Sequence, residues 1–130
     1  MKKKSIRKTL KVKSDVINEK VYYIYILKCD NDMLYTGITT DYKRRFLEHK
    51  GIEKRGAKFT RSFKPEKIVA LWETFNRSNA SKLEAQIKKL SKDDKLQLIK
   101  NNRYFKNYFD GILDVKSYKR LKNENKKCII

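Results

Sequence analysis

The stretch VYYIYILKCDNDMLYTG, Val21 to Gly37, constrains the fold more than any other part of the chain. Its first half, VYYIYILK, is rich in aromatic and β-branched residues, which suit a pleated, half-buried strand. CDNDM then supplies turn formers and LYTGI a second short run, so the segment reads as a hairpin. With the loop centred near Asp30, Tyr25 is expected opposite Tyr35, both side chains on one face of the sheet. A one-residue slip would separate them, because side chains alternate between faces. Tyrosines are also ordinary strand residues that bury much area, so the hairpin alone does not separate packing from chemistry.

The remaining elements follow from periodicity and caps. Thr39 or Thr40 offers an N-cap for a short helix over DYKRRFLEHK, with Tyr42 and Phe46 facing inward. Arg45 and His49, four residues apart, fall on one side of that helix beside its apolar stripe. The basic stretch GIEKRGAKFTRSFKP, Gly51 to Pro65, carries two glycines and a proline and is expected as a long loop or short helix. Lys67 to Phe75, KIVALWETF, is apolar enough to be central in a small sheet. Ser78 is expected to cap a helix whose buried stripe is Ala80, Leu83, Ile87 and Leu90. Ser91 is expected to cap another, with Leu96 and Ile99 inward. Tyr104, Phe105, Tyr108 and Phe109 then recur at helical spacing before the sequence fades into a basic tail. The expected fold is α+β, a three-stranded antiparallel sheet flanked by helices. Residues 21–100 form the domain, 1–20 a basic N-terminal extension, and 101–130 a C-terminal helical extension and basic tail.

Composition narrows the partner. A chain of 130 residues makes one domain that buries roughly two-thirds of its unfolded surface. Its net charge of +19 attracts polyanions, since neutralising phosphates releases condensed counterions. A genome rich in lysine, asparagine and isoleucine contributes to the same excess. Two cysteines and one histidine make neither a disulfide framework nor a zinc site. The start MKKKSIRKTLKVK resembles a signal n-region with no apolar stretch after it, and no apolar run approaches a membrane span. Cys128 has two residues after it, one short of a prenylation box. The expectation is a cytoplasmic protein with no membrane partner, nucleoid-associated if bacterial.

Among residues that could carry chemistry, Glu84 lies at the edge of its helix's apolar stripe, where an unpaired carboxylate is costly and wants a cation. Lys88, one turn later, could supply it through a surface pair worth a few tenths of a kcal/mol, roughly. A metal ion is the sharper alternative, because magnesium is commonly held by a carboxylate, water and phosphate oxygens. His49 taken alone is a packing residue. Arg45, beside Lys43 and Arg44, taken alone is surface charge or a phosphate contact. Their conjunction with two paired tyrosines and a glycine after the second is what changes the odds.

That conjunction resembles the GIY-YIG nucleases, whose two name motifs sit on adjacent strands. Here they correspond to Tyr23-Ile24-Tyr25 and Tyr35-Thr36-Gly37, followed by Arg45 ten residues after Tyr35, His49 fourteen after it, and Glu84 on a later helix. GAKFTR at Gly56 to Arg61 and AQIKKLS at Ala85 to Ser91 resemble the small stand-alone bacterial members. These are similar to the nuclease domain of Slx-type endonucleases and, more distantly, to the N-terminal domain of UvrC. Tyr23 replaces the first motif's glycine and Thr36 the second motif's isoleucine. The family's late asparagine is left unassigned, with Asn101 a loose candidate.

The resemblance implies a metal-dependent endonuclease hydrolysing phosphodiester bonds in DNA, in repair, recombination or processing of branched or single-stranded DNA. It implies one divalent ion, Mg2+ or Mn2+, on Glu84. Tyr35 is assigned as base or water-orienting group with Tyr25 as its hydrogen-bond partner, although the sequence does not separate the two roles. Arg45 would bind the scissile phosphate and His49 would position a phosphate oxygen or tune a tyrosine. Lys43, Arg44, Lys58 and Arg61 would contact the nucleic-acid backbone, which fixes register without reading bases. The partner is DNA, with RNA left open, and the state a monomer or weak dimer. Two rivals stand beside this reading: a non-catalytic nucleic-acid-binding module with the same fold, and a protein that docks a partner through its C-terminal aromatic helix.

Overall fold

The structure is a computed structural model that describes residues 20–50 and 63–122. The hairpin forms as β1 (Val21–Cys29) and β2 (Leu34–Thr39), joined by a tight helical turn over Asp30–Asp32. Helix α1 (Tyr42–His49) follows, then β3 (Pro65–Phe75), α2 (Arg77–Lys89), α3 (Lys92–Lys100), α4 (Arg103–Phe109) and β4 (Tyr118–Arg120). The sheet is antiparallel in the order β2-β1-β3-β4. It is α+β as expected but has four strands instead of three. The additional strand comes from the segment after residue 100, too short and too charged to show a period-2 pattern.

Alternation along β1 divides the interior into two. Ile24 and Ile26 face one side, where Ala80, Leu83 and Ile87 of α2, Leu98 of α3, and Phe105 and Phe109 of α4 close over Ala70 and Trp72. Tyr23, Tyr25, Leu27 and Cys29 face the other, with Phe46 of α1, Ile68, Leu71 and Tyr35. Three helices cover the first face. Among the described residues α1 is the one helix that covers the second, where Tyr25 is buried and Tyr23 and Tyr35 are half-buried. Phe46, fully buried, anchors α1 there, a contact worth about 3 kcal/mol or more if truncated to alanine.

Several local expectations are corrected. Asp41, not a threonine, caps α1, its carboxylate accepting from the Arg44 amide at 3.1 Å, while Thr39 Oγ1 accepts from the Asp41 amide at 3.1 Å. Asn76, not Ser78, caps α2; it takes a φ of 62°, which asparagine tolerates, and its side chain accepts from the Asn79 amide at 2.9 Å. Ser91 does cap α3, accepting from the Asp94 amide at 3.1 Å. On α3 Leu98 is the buried residue and Ile99 is half-buried, whereas Leu96 is exposed, because the helix packs about one residue out of phase with the expected stripe.

The segment after residue 100 is tied to the same sheet. Trp72 donates from Nε1 to Asn102 Oδ1 at 2.9 Å, Thr74 to the Ser117 carbonyl at 2.7 Å, and Tyr118 from its hydroxyl to the Asn79 carbonyl at 2.7 Å. The buried faces of Phe105 and Phe109 show that α4 covers its own core, whatever else its outer face does.

Candidate active site

The hairpin register decides how the tyrosines meet. Tyr25 pairs with Gly37, and Tyr35 with Leu27. Tyr25 and Tyr35 are therefore diagonal neighbours, not direct partners as expected. The loop is centred on Asn31, one residue later than Asp30, and Asn31 and Asp32 take positive φ to close it. Moving the centre by one residue moves each partner by two, so both tyrosines keep the shared face.

Gly37 is where the hairpin makes room. A Cβ at that position would collide with the Tyr25 hydroxyl and lie 2.7 Å from its Cζ, with Tyr35 Cε2 at 3.1 Å. The glycine after the second tyrosine thus serves the ring across the strand, letting Tyr25 lie flat over the backbone.

Helix α1 brings Arg45 and His49 to the same place. The Tyr35 and His49 rings lie 5.0 Å apart, Tyr25 and His49 5.8 Å, and Tyr25 and Tyr35 6.3 Å. Tyr25 Oη is 2.8 Å from His49 Nε2. Arg45 also acts on the Tyr25 hydroxyl, both through its charge and as a hydrogen-bond donor. A guanidinium can only donate, so the phenol oxygen accepts from Arg45, and the phenol shares one proton with Nε2 in a direction set by the His49 tautomer.

Burial sets the protonation states. It pulls His49 down to about 4, with the Arg45 charge adding to the effect and Glu48 partly opposing it, so the ring is neutral near pH 7. Burial likewise pushes the Tyr25 phenol well above its ordinary value, helped by Tyr35 and by the negative charge of Glu84, and Arg45 offsets this only in part. For Arg45 desolvation is the largest influence and lowers it, but Glu48 and Tyr25 together outweigh that and raise it, keeping the guanidinium charged.

Glu48 is the residue that the sequence reading missed. Its carboxylate is 4% exposed and accepts from Arg45 Nη1 at 2.7 Å and Arg44 Nη1 at 3.3 Å. The signal was present in RRFLEH, where Glu48 sits three and four residues after the arginines, the spacing of neighbours on a helix surface. Arg44 is drawn into this pairing and lies 3.8 Å from Asp41 as well, while Lys43 is exposed. Lys58 and Arg61 lie outside the described residues.

Glu84 stands on α2, and its link to the group is electrostatic. Its side chain is 24% exposed and pairs with Lys88 at 3.2 Å, the neighbour foreseen for it, yet its charge is also felt at Tyr25. Among the described residues no three His, Cys, Asp or Glu side chains gather at one point. A divalent ion at Glu84 would take that carboxylate as its protein donor, a set that suits a hard cation keeping several waters and taking phosphate oxygens.

The class to which this arrangement belongs is a nuclease domain: residues 21–97 match the GIY-YIG catalytic domain. The chain belongs to the GIY-YIG family, whose nucleases are generally divalent-metal dependent and act on DNA. It is 49% identical over 80 residues to a UPF0213 protein of Syntrophus aciditrophicus (strain SB), a match covering 62% of this chain and 91% of that one. It is 36% identical over 101 residues to a UPF0213 protein of Fusobacterium nucleatum subsp. nucleatum, covering 78% and 93%. The solution NMR structure of the UPF0213 protein BH0048 from Bacillus halodurans is 32% identical, covers 62% of this chain and 83% of that one, and superposes with a TM-score of 0.39. No helix among the described residues is long and apolar enough to cross a membrane.

Proposed function

We propose that this protein is a metal-dependent endonuclease that hydrolyses phosphodiester bonds in DNA, and that Tyr25, Tyr35, Arg45, His49 and Glu84 form its active site. The observation that carries the reading is the convergence of four of these side chains, from two strands and one helix, around the Tyr25 hydroxyl, with the fifth close enough to act on it electrostatically. A decayed binding module has no reason to keep all five.

Hydrolysis needs a deprotonated water, neutralisation of charge growing on the phosphate, and a stabilised leaving oxygen. Tyr25 is a poor base, because burial holds its proton on and its hydroxyl is engaged with His49. That favours Tyr35, which is half-buried, as the group that orients the attacking water and takes its proton. A free phenol must come down by about three units, or about 4 kcal/mol, to act near neutrality. Arg45, 26% exposed and steadied by Glu48, binds the scissile phosphate and stabilises its developing charge, an effect of about 3 kcal/mol. Neutral His49 fixes Tyr25, which in turn holds the guanidinium in place. Glu84 with surrounding water would hold one Mg2+ or Mn2+, which supplies Lewis-acid stabilisation at a phosphate oxygen. Lys43, and Lys58 and Arg61 outside the described residues, are assigned to backbone contacts, with Arg44 shared between that role and Glu48. A place in repair, recombination or the processing of branched or single-stranded DNA, in the cytoplasm, accords with this activity. We assign a monomer or weak dimer, in which residues 21–100 carry the chemistry and the flanking segments support it.

A gel assay with labelled linear, flapped, branched and single-stranded DNA, in magnesium and in EDTA, tests the reading. Magnesium-dependent product on at least one substrate is expected. Binding to all of them with no product would favour the non-catalytic module.

A further inference from the structure

A second place in the molecule gathers cationic and amide side chains. A pocket of about 400 Å3 opens where the C-terminal end of α3 meets β4 and the β3 edge, lined by Lys100, Asn101, Asn102, Arg120 and Lys122 over an apolar floor. Among the described residues no carboxylate lines it.

The polar groups all present donors. Asn102 Oδ1 accepts from Trp72 Nε1 at 2.9 Å and Asn101 Oδ1 from the Arg103 amide at 3.0 Å. Both oxygens being so engaged, each amide has its NH2 group left to offer. Arg120 lies with its guanidinium carbon 5.1 Å from the Trp72 ring centre and donates to the Leu98 carbonyl at 3.2 Å and the Ile99 carbonyl at 2.9 Å. Those carbonyls use two of its five N–H donors. Among the described residues it has no ion pair with a carboxylate, and burial lowers its pKa. A half-buried cation beside two further cations and two amide donors is a set that an anion completes.

We propose that this pocket binds a backbone phosphate of DNA, as an anchor separate from the tyrosine cluster. It lies on the β3–β4 side of the sheet, whereas the tyrosines occupy β1 and β2. The pocket is on the Trp72 face, opposite the face that carries Tyr25 and Tyr35, so a strand held at both sites would pass round the β4 edge of the sheet. The proposal shares with the nuclease reading only its ligand.

The chain holds one tryptophan, so the indole N–H of Trp72 gives a single NMR resonance, one hydrogen bond from the pocket. The protein would be titrated in EDTA, at constant ionic strength, with a short oligothymidylate and separately with inorganic phosphate. The indole signal should move saturably with the oligomer, in Glu84→Ala as in wild type. The double variant Lys100→Glu/Lys122→Glu changes two exposed side chains, so it should fold normally and bind about tenfold more weakly. An indole signal that stays still, or a double variant with wild-type affinity, overturns the proposal. A response to inorganic phosphate without one to the oligomer overturns the nucleic-acid assignment. Cleavage with a stationary indole would sink the anchor alone, and a moving indole without magnesium-dependent cleavage would sink the nuclease reading alone.

Discussion

The Tyr25 hydroxyl lies 2.8 Å from Nε2 of His49, and both side chains are almost wholly buried. The two tyrosines consequently respond differently to loss of the hydroxyl. Tyr25→Phe takes away the phenol that serves His49 and should cost about 1–3 kcal/mol of stability. Tyr35→Phe, at a half-buried position, should change stability by less than about 1 kcal/mol and abolish cleavage. Urea unfolding of both variants beside their cleavage rates checks this. A fully active Tyr35→Phe protein would move the base elsewhere.

His49 also makes a pH prediction. Its folded pKa of about 4 lies below the ordinary 6.5, so the unfolded chain takes up the proton first as pH falls. The stability this contributes is complete above pH 6.5 and is lost progressively down to about pH 4, amounting to about 3 kcal/mol. Unfolding free energies of wild type and His49→Gln, measured from pH 7.5 to 4, should differ in slope across that window. Parallel curves would show that folding leaves the ring's titration unshifted, contrary to its burial.

Gly37→Ala tests the close approach beneath Tyr25. The added methyl must displace the ring, since its carbon would lie 2.7 Å from Tyr25 Cζ. A loss of about 1–3 kcal/mol is expected from overpacking, together with loss of cleavage. A variant with unchanged melting temperature and activity would mean that Tyr25 does not lie over that strand.

Glu48→Gln removes the charge that steadies Arg45 while keeping the side chain's shape. Cleavage at saturating DNA should fall about a hundredfold, as for small misplacements of a catalytic group, with DNA affinity changed by less than about threefold. Glu48→Asp should recover part of the rate. An equal loss of affinity and rate would assign Glu48 to binding instead.

How far these features could be read beforehand differs from residue to residue. The shared face of Tyr25 and Tyr35 survived a wrong loop centre because strand alternation depends on parity, whereas their pairing did not, because it depends on which residue tolerates positive φ. The helix caps at Asp41 and Asn76 were missed because several short polar residues compete at each boundary and only the incoming backbone selects one. β4 was invisible because three residues, Tyr118–Arg120, carry no usable period. Arg45 and His49 were legible from helical spacing and the family resemblance. Glu48 was not, because a charged residue beside arginines looks like ordinary surface until Phe46 and His49 are seen to bury that side of α1.

The central claim is that Glu84 completes a hydrolytic site with the residues around Tyr25, and one measurement tests it most directly. Magnesium-dependent DNA cleavage by Glu84→Ala, followed beside wild type with DNA binding measured in the same samples, should fall below detection while affinity stays within about twofold. Cleavage by Glu84→Ala at the wild-type rate would contradict the account.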